Sequence, residues 1–208
     1  MKKGTKRFLG IGGGALALIL VMVMMLGALG TGAWFSDNET SNGNAFTAGS
    51  LDLNVDGNNT NVVKFTVTGM RPGNQPTSSW TLANVGSMNG YLDLENITVT
   101  NSENGRIEPE IEAGDTSDGV GELQDIVNLR LYIDVDKAGG YSAGDIMIYN
   151  GPTGNIAGNY DQNQLIAAGS DVRLVAVFDW WNTANDNQAM TDGMTLNMTF
   201  ELAQTTGQ

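Results

Sequence analysis

The sequence predicts an all-β domain. It is a jelly-roll-like β-sandwich with one or two short crossover helices, preceded by an N-terminal signal segment. Three observations carry this. Apolar residues recur at every second position in several stretches, the spacing that lines one face of a pleated strand. Turn dipeptides of the Asn-Gly and Pro-Gly kind separate these stretches. Almost nothing between them has helical periodicity, and many short strands with regular turns favour a sandwich.

In chain order, the alternating sets are Leu51, Leu53 and Val55, then Val63, Phe65 and Val67. Leu129, Leu131, Ile133 and Val135 follow, then Val172, Leu174, Ala176, Phe178 and Trp180, then Met194, Leu196, Met198, Phe200 and Leu202. Shorter strands are predicted around residues 80–82, 91–100, 107–111 and 145–149. Asn89-Gly90, Asn104-Gly105 and Asn150-Gly151 suit turns that need positive φ. Pro72-Gly73 fits a turn, and Gly139-Gly140 ends the strand that begins at Leu129. The one helix-like patch is 121–128, where Leu123, Ile126 and Val127 share a face. Two adjacent Trp, 180 and 181, must face opposite sides of a strand, so one belongs to the core and the other to the surface.

The start of the chain has a different character. Lys2, Lys3, Lys6 and Arg7 precede an apolar, Gly-rich run over 8–29, and Thr31, Gly32 and Ala33 follow. Basic start, apolar middle and small-residue end are the order of a secretory signal. Cleavage between Ala33 and Trp34 divides the chain into a signal peptide (1–33), an N-terminal arm (34–44) and a β-sandwich domain (45–208). The run is also long enough for a single-span anchor, which needs about 20 apolar residues, and a type IV pilin leader is a further alternative. Gly10, Gly12, Gly13, Gly14, Gly27 and Gly30 weaken a long continuous helix, at ~1 kcal/mol each relative to Ala.

Charge and composition exclude some functions. Four of the ten Lys and Arg lie in 1–33 and no acid does, so residues 34–208 hold six basic against 23 acidic side chains, a net of −17. No nucleic-acid partner is expected, because like charge repels the phosphate backbone. With no Cys, disulfides and thiolate chemistry are excluded. With no His, neither a His-Glu-x-x-His zinc site nor a Ser-His-Asp triad can form. No enzyme activity is expected.

Two blocks carry a family resemblance: Gly30-Thr31-Gly32-Ala33-Trp34-Phe35-Ser36-Asp37, and Ala45-Phe46-Thr47-Ala48-Gly49-Ser50-Leu51-Asp52-Leu53. The Pro72-Gly73 turn, the strand ending Asn84-Val85-Gly86-Ser87, and Tyr91-Leu92-Asp93-Leu94 extend it. Together they resemble the TasA/camelysin family of secreted biofilm-matrix fibre proteins, which includes archaeal bundling-pilus subunits. The resemblance is carried mainly by the first half of the chain. It implies a secreted protein of the extracellular matrix or cell surface, exported with the help of a signal peptidase. It also implies assembly with identical subunits into a head-to-tail filament. The arm, with Trp34, Phe35, Ser36, Asp37, Asn38, Glu39 and Thr40, would then complete the sheet of the next subunit. The alternative for the arm is that its aromatics fold back on their own domain. Relatives described as metallopeptidases meet the absence of His.

The residues point to one ion. From Asp134 to Asp145 the chain has Asp at positions 1, 3 and 12, Gly at 6 and Ser at 9, the spacing of a calcium loop. Asp134, Asp136, Ser142 and Asp145 are the candidate ligands. Position 5 is Ala138, which has no side-chain oxygen, and Asp145 is shorter than the usual Glu, so a plain β-hairpin with an acidic turn is the rival reading. No cofactor is required, and calcium is the one ion expected. The alternative function is a monomeric calcium- or carbohydrate-binding surface domain. Asn38, Asn58, Asn96 and Asn197 begin Asn-x-Ser/Thr sequons.

Overall fold

The computed structural model describes residues 48–59 and 70–207. The expectations placed on 1–47 and 60–69, namely the signal segment, cleavage site, arm and the strand around Phe65, lie outside the described residues.

Among the described residues, eight strands form two antiparallel sheets. The larger contains β1 (Leu53–Val55), β2 (Thr77–Asn84), β7 (Asp171–Asp179), β4 (Asn128–Asp134) and β5 (Ile146–Pro152), in that spatial order. The smaller holds β6 (Tyr160–Ile166), β3 (Gly90–Ser102) and β8 (Gly193–Ala203). One core joins them. Leu82, Leu129, Leu131, Ile133, Leu174 and Ala176 of the larger sheet meet Leu92, Leu94 and Ile166 of the smaller. Trp80 meets Phe200 edge-on across the sheets, 5.8 Å between centroids. Each Leu or Ile buried in this way contributes roughly 1.5–3 kcal/mol. The expected all-β sandwich is what the chain forms.

The period-two sets behave as alternation dictates. Leu131 and Ile133 turn inward, while Tyr132 packs on the opposite face with Val175 and Val177. Trp180 is buried and donates its Nε1–H to Asp186 Oδ1 at 2.9 Å, whereas Trp181 is 64% exposed. The Pro72-Gly73 turn is present: Gly73 has φ +86°, and Asn74 N–H donates to the Arg71 carbonyl at 3.0 Å. Gly105, with φ +98°, also takes the expected backbone.

Several expectations are corrected. The strand expected at 107–111 is instead helix α1 (Glu108–Glu112). Pro109 sits in its first turn, and Glu110 reaches back to accept the Ile107 N–H at 2.6 Å, which closes the helix start. Asn150-Gly151 is not a turn but the end of β5, paired with Arg130 and Leu129. Gly151 is there because a Cβ would stand 2.9 Å from the Tyr149 hydroxyl. Gly90 likewise opens β3, and a Cβ on it would meet the Leu202 side chain. The helix-like patch yields α2 (Leu123–Ile126), one turn that buries Leu123. Strand β6 was not expected at all. Its Asp161, Gln162, Asn163 and Gln164 give no apolar alternation.

Candidate functional site: an acidic loop and an open sheet edge

Strand β4 delivers Asp134 to the end of the large sheet, and the following loop carries the other expected ligands back to β5. Lys137, Gly139 and Gly144, at φ +57°, +105° and +115°, let the loop curl over. Asp134 is fully buried. Its Oδ2 accepts Gly139 N–H at 3.0 Å and lies 3.5 Å from the Arg173 guanidinium. Its Oδ1 is buried without a hydrogen-bond partner. Asp136 Oδ1 accepts Ala138 N–H at 2.9 Å, and its Oδ2 accepts the Ser142 hydroxyl at 3.3 Å. Asp145 Oδ1 accepts Val135 N–H at 2.9 Å, and its Oδ2 accepts Ser142 N–H at 2.7 Å. The Ala138 N–H is the main reason the Asp136 carboxyl is held below its usual range.

These contacts bring all four expected residues together. Carboxylate oxygens of Asp134, Asp136 and Asp145 lie within 4.8 Å of one another, beside a cavity of about 220 Å³ lined by Val135, Asp136, Ser142, Ala143, Gly144 and Asp145. Lys137 leans away to Asp171, 2.6 Å off, and leaves the loop mouth acidic. Oxygen donors of this kind suit a hard cation such as calcium. Arg173 already neutralises part of the charge on Asp134, which limits how tightly a cation would be held.

The second feature is an edge. Among the described residues, β8 pairs with β3 on one side and with nothing on the other. Its eleven residues include Met194, Leu196, Met198, Phe200 and Leu202, which face the core yet stay only half-buried. Thr195, Asn197 and Thr199 point outward and are exposed. No Pro and no charge interrupts 193–200. Soluble proteins normally blunt such an edge with charge, Pro or a covering segment; on β8 the one charge is Glu201, near its end.

A third feature escaped the sequence reading. Glu103, Glu110, Asp115, Glu122 and Asp192 gather where β3 ends and β8 begins. They are scattered over 90 residues of sequence, and only the pairing of Ser102 with Gly193 brings the ends of that span together. Among the described residues no helix is long and apolar enough to cross a membrane.

No curated protein matches the chain. The family model described as camelysin metallo-endopeptidase matches residues 6–137. That span covers more than half of the 208 residues and runs from the basic start through β4 into the acidic loop. On this match the chain belongs to the camelysin family.

Proposed function

We propose that this protein is a secreted structural subunit of an extracellular filament in biofilm matrix, and that residues 34–44 of one copy pair with the β8 edge of the next. The observation that supports the reading most strongly is the β8 edge itself: eleven residues long, with Glu201 its only charge, and apolar and half-buried on its inner side. Backbone pairing with an added strand would satisfy its outward N–H and C=O groups, and inward side chains of the donor would seal the core. Trp34 and Phe35 are adjacent, so in a strand one enters the sandwich and the other lies on the outer face. Repetition head to tail generates an open filament.

The family carries the description of a metallo-endopeptidase. The side chains here do not fit a zinc-peptidase centre. The chain has neither His nor Cys, and catalytic zinc is held mostly by His or Cys with one position left open. The acid groups supply oxygen alone, which suits hard cations. No hydrolytic step is therefore routed through them, and the role we propose is mechanical.

The acidic loop supports a second reading, calcium binding by Asp134, Asp136, Ser142 and Asp145, which is compatible with the first.

Deleting residues 34–44 from the secreted protein tests the main reading. Negative-stain microscopy should then show no filaments, with the chain remaining folded by circular dichroism. Normal filaments from the deleted protein would place the junction elsewhere.

A further inference from the structure

The acidic gathering at the β3–β8 end of the smaller sheet has an unusual pattern of partners. Three of its carboxylates are anchored through one oxygen and leave the other free. Asp115 accepts Ser117 N–H at 2.8 Å through Oδ1, and its Oδ2 is buried without a hydrogen bond. Glu122 accepts the Ser117 hydroxyl at 3.1 Å through Oε1, and its Oε2 has none. Asp192 accepts Glu122 N–H at 2.5 Å through Oδ2, and its Oδ1 has none. Glu103 has both carboxylate oxygens buried with no N–H or hydroxyl donor, and its one side-chain neighbour by hydrogen bonding is the Asp192 carboxyl, with which it shares a proton. Glu110, fully buried beside them, is held by Ile107 N–H and by the Thr191 N–H and hydroxyl.

Positive charge is scarce among the described residues here. Arg106 stands 4.0 Å from Asp115 Oδ2, but its guanidinium is taken up by Asp118 at 2.5 Å and by the Asp115 carbonyl at 3.0 Å. An unpartnered buried polar oxygen costs roughly 1–3 kcal/mol, and more when it is charged. Asp115, Glu122 and Asp192 each have one oxygen tied to the backbone or to Ser117 and one without a donor, and Glu103 links the two groups they form; a cation would satisfy such oxygens.

We infer that Glu103, Asp115, Glu122 and Asp192, with Glu110 alongside, bind a calcium ion that fastens the 103–127 crossover to the start of β8. Oxygens of Glu103, Asp115 and Glu122 lie within 4.8 Å of one another, as do those of Glu103, Glu110 and Asp192. A set made wholly of protein carboxylates suits calcium, which takes six to eight oxygens in flexible geometry, better than magnesium, which usually keeps several waters. Glu103 belongs to both groups and sits at the centre. Gly121 is required by its close approach to the end of β3, since a Cβ there would stand 2.8 Å from the Ser102 carbonyl oxygen and 3.0 Å from Asp192 Cγ. In a chain without Cys, such an ion cross-links three segments distant in sequence. The inference is independent of the filament reading, because an isolated subunit would bind as well as an assembled one.

The test uses the full chain carrying Asp136→Asn and Asp145→Asn, so that the loop cannot contribute. After chelation and dialysis, equilibrium dialysis against radioactive calcium should find one ion per chain. Calcium should raise the melting temperature by several degrees, and magnesium by much less. Adding Glu103→Gln should abolish both bound calcium and its thermal increment. The same change should raise the melting temperature of the calcium-free protein, because it removes a charge that nothing balances. Absence of bound calcium in the parent, or full retention of binding after Glu103→Gln, would overturn the inference. A Glu103→Gln protein less stable than its parent without calcium would do so too, because Glu103 would then act through ordinary packing.

Discussion

Charge added to the outer face of β8 should weaken assembly by more than it weakens the fold. Asn197 and Thr199 are exposed, two residues apart, and directed away from the core. Thr199 lies directly opposite Glu95 of β3, so changing both to Glu costs the fold roughly 0.2–1 kcal/mol through that like-charge pair, which the denaturation midpoint of the monomer measures separately. The arm proposed to lie beside them carries Asp37 and Glu39. Like charges on neighbouring strands cost roughly 0.2–1 kcal/mol per pair, so two pairs cost about 0.5–2 kcal/mol per junction. At 1.4 kcal/mol per tenfold, the critical concentration for polymerisation should rise about two- to thirty-fold. In 1 M salt, where screening acts over about 3 Å, most of the difference should vanish. Sedimentation of filaments against total protein measures it. A charge-matched control, Thr77→Glu with Thr81→Glu on exposed positions of β2, separates a local effect from added net charge. Equal critical concentrations for the β8 variant and the control would refute the reasoning, since the arm would then not lie along β8.

Asp186→Ala should destabilise the domain by about 2–3 kcal/mol in a denaturant titration, because it strands the buried Trp180 Nε1–H and frees Thr183. Burial by itself would raise the Asp186 carboxyl, but the donors from Trp180 and Thr183 outweigh it and hold it below its usual range. Its stabilising contribution is therefore present above the ordinary carboxylate range and is lost as pH falls through the depressed value. Glu103 behaves in the opposite sense. Burial first, then the Asp192 charge, push its carboxyl up to about 7. Calcium-free protein should thus lose stability as pH rises from the ordinary Glu range through about 7, and Glu103→Gln should flatten that slope in melting curves. In a Glu103→Gln background, Asp134→Ala with Asp136→Ala should remove whatever calcium-dependent shift in melting the acidic loop provides, and identical curves before and after would leave that loop an ordinary hairpin.

Most of the sandwich could be read from local alternation because its strands have one wet face and one dry face. β4, β7 and β8 carry unbroken period-two sets, and the structure seats them where those sets meet across the core. β6 gave no such signal. Its middle, residues 161–164, is polar and held by pairing with β3, and only its ends, Tyr160 and Ile166, reach the core. Ile107 and Ile111 mimicked a strand, but they lie at the start of α1 and within it, where Pro109 and the back-reaching Glu110 set the backbone. Glycine misled at 90 and 151, where it makes room for Leu202 and Tyr149 rather than a turn. The same contrast explains the acid sites. The ligands of the loop fall within twelve consecutive residues, so their spacing is visible in sequence. Glu103 and Asp192 meet only because β3 pairs with β8, and no local spacing records a long-range contact.

Amide hydrogen exchange on β8 tests the central claim most directly. In the protein lacking residues 34–44, the outward N–H groups of Gly193–Ala203 should exchange rapidly, since the described structure gives them no partner strand. Adding a synthetic peptide of residues 34–44 should slow exchange along β8, and the same protection should appear in filaments of the secreted protein. Filaments in which β8 exchanges as fast as in the deleted monomer would contradict the account, because the strand edge would then still be open in the assembled fibre.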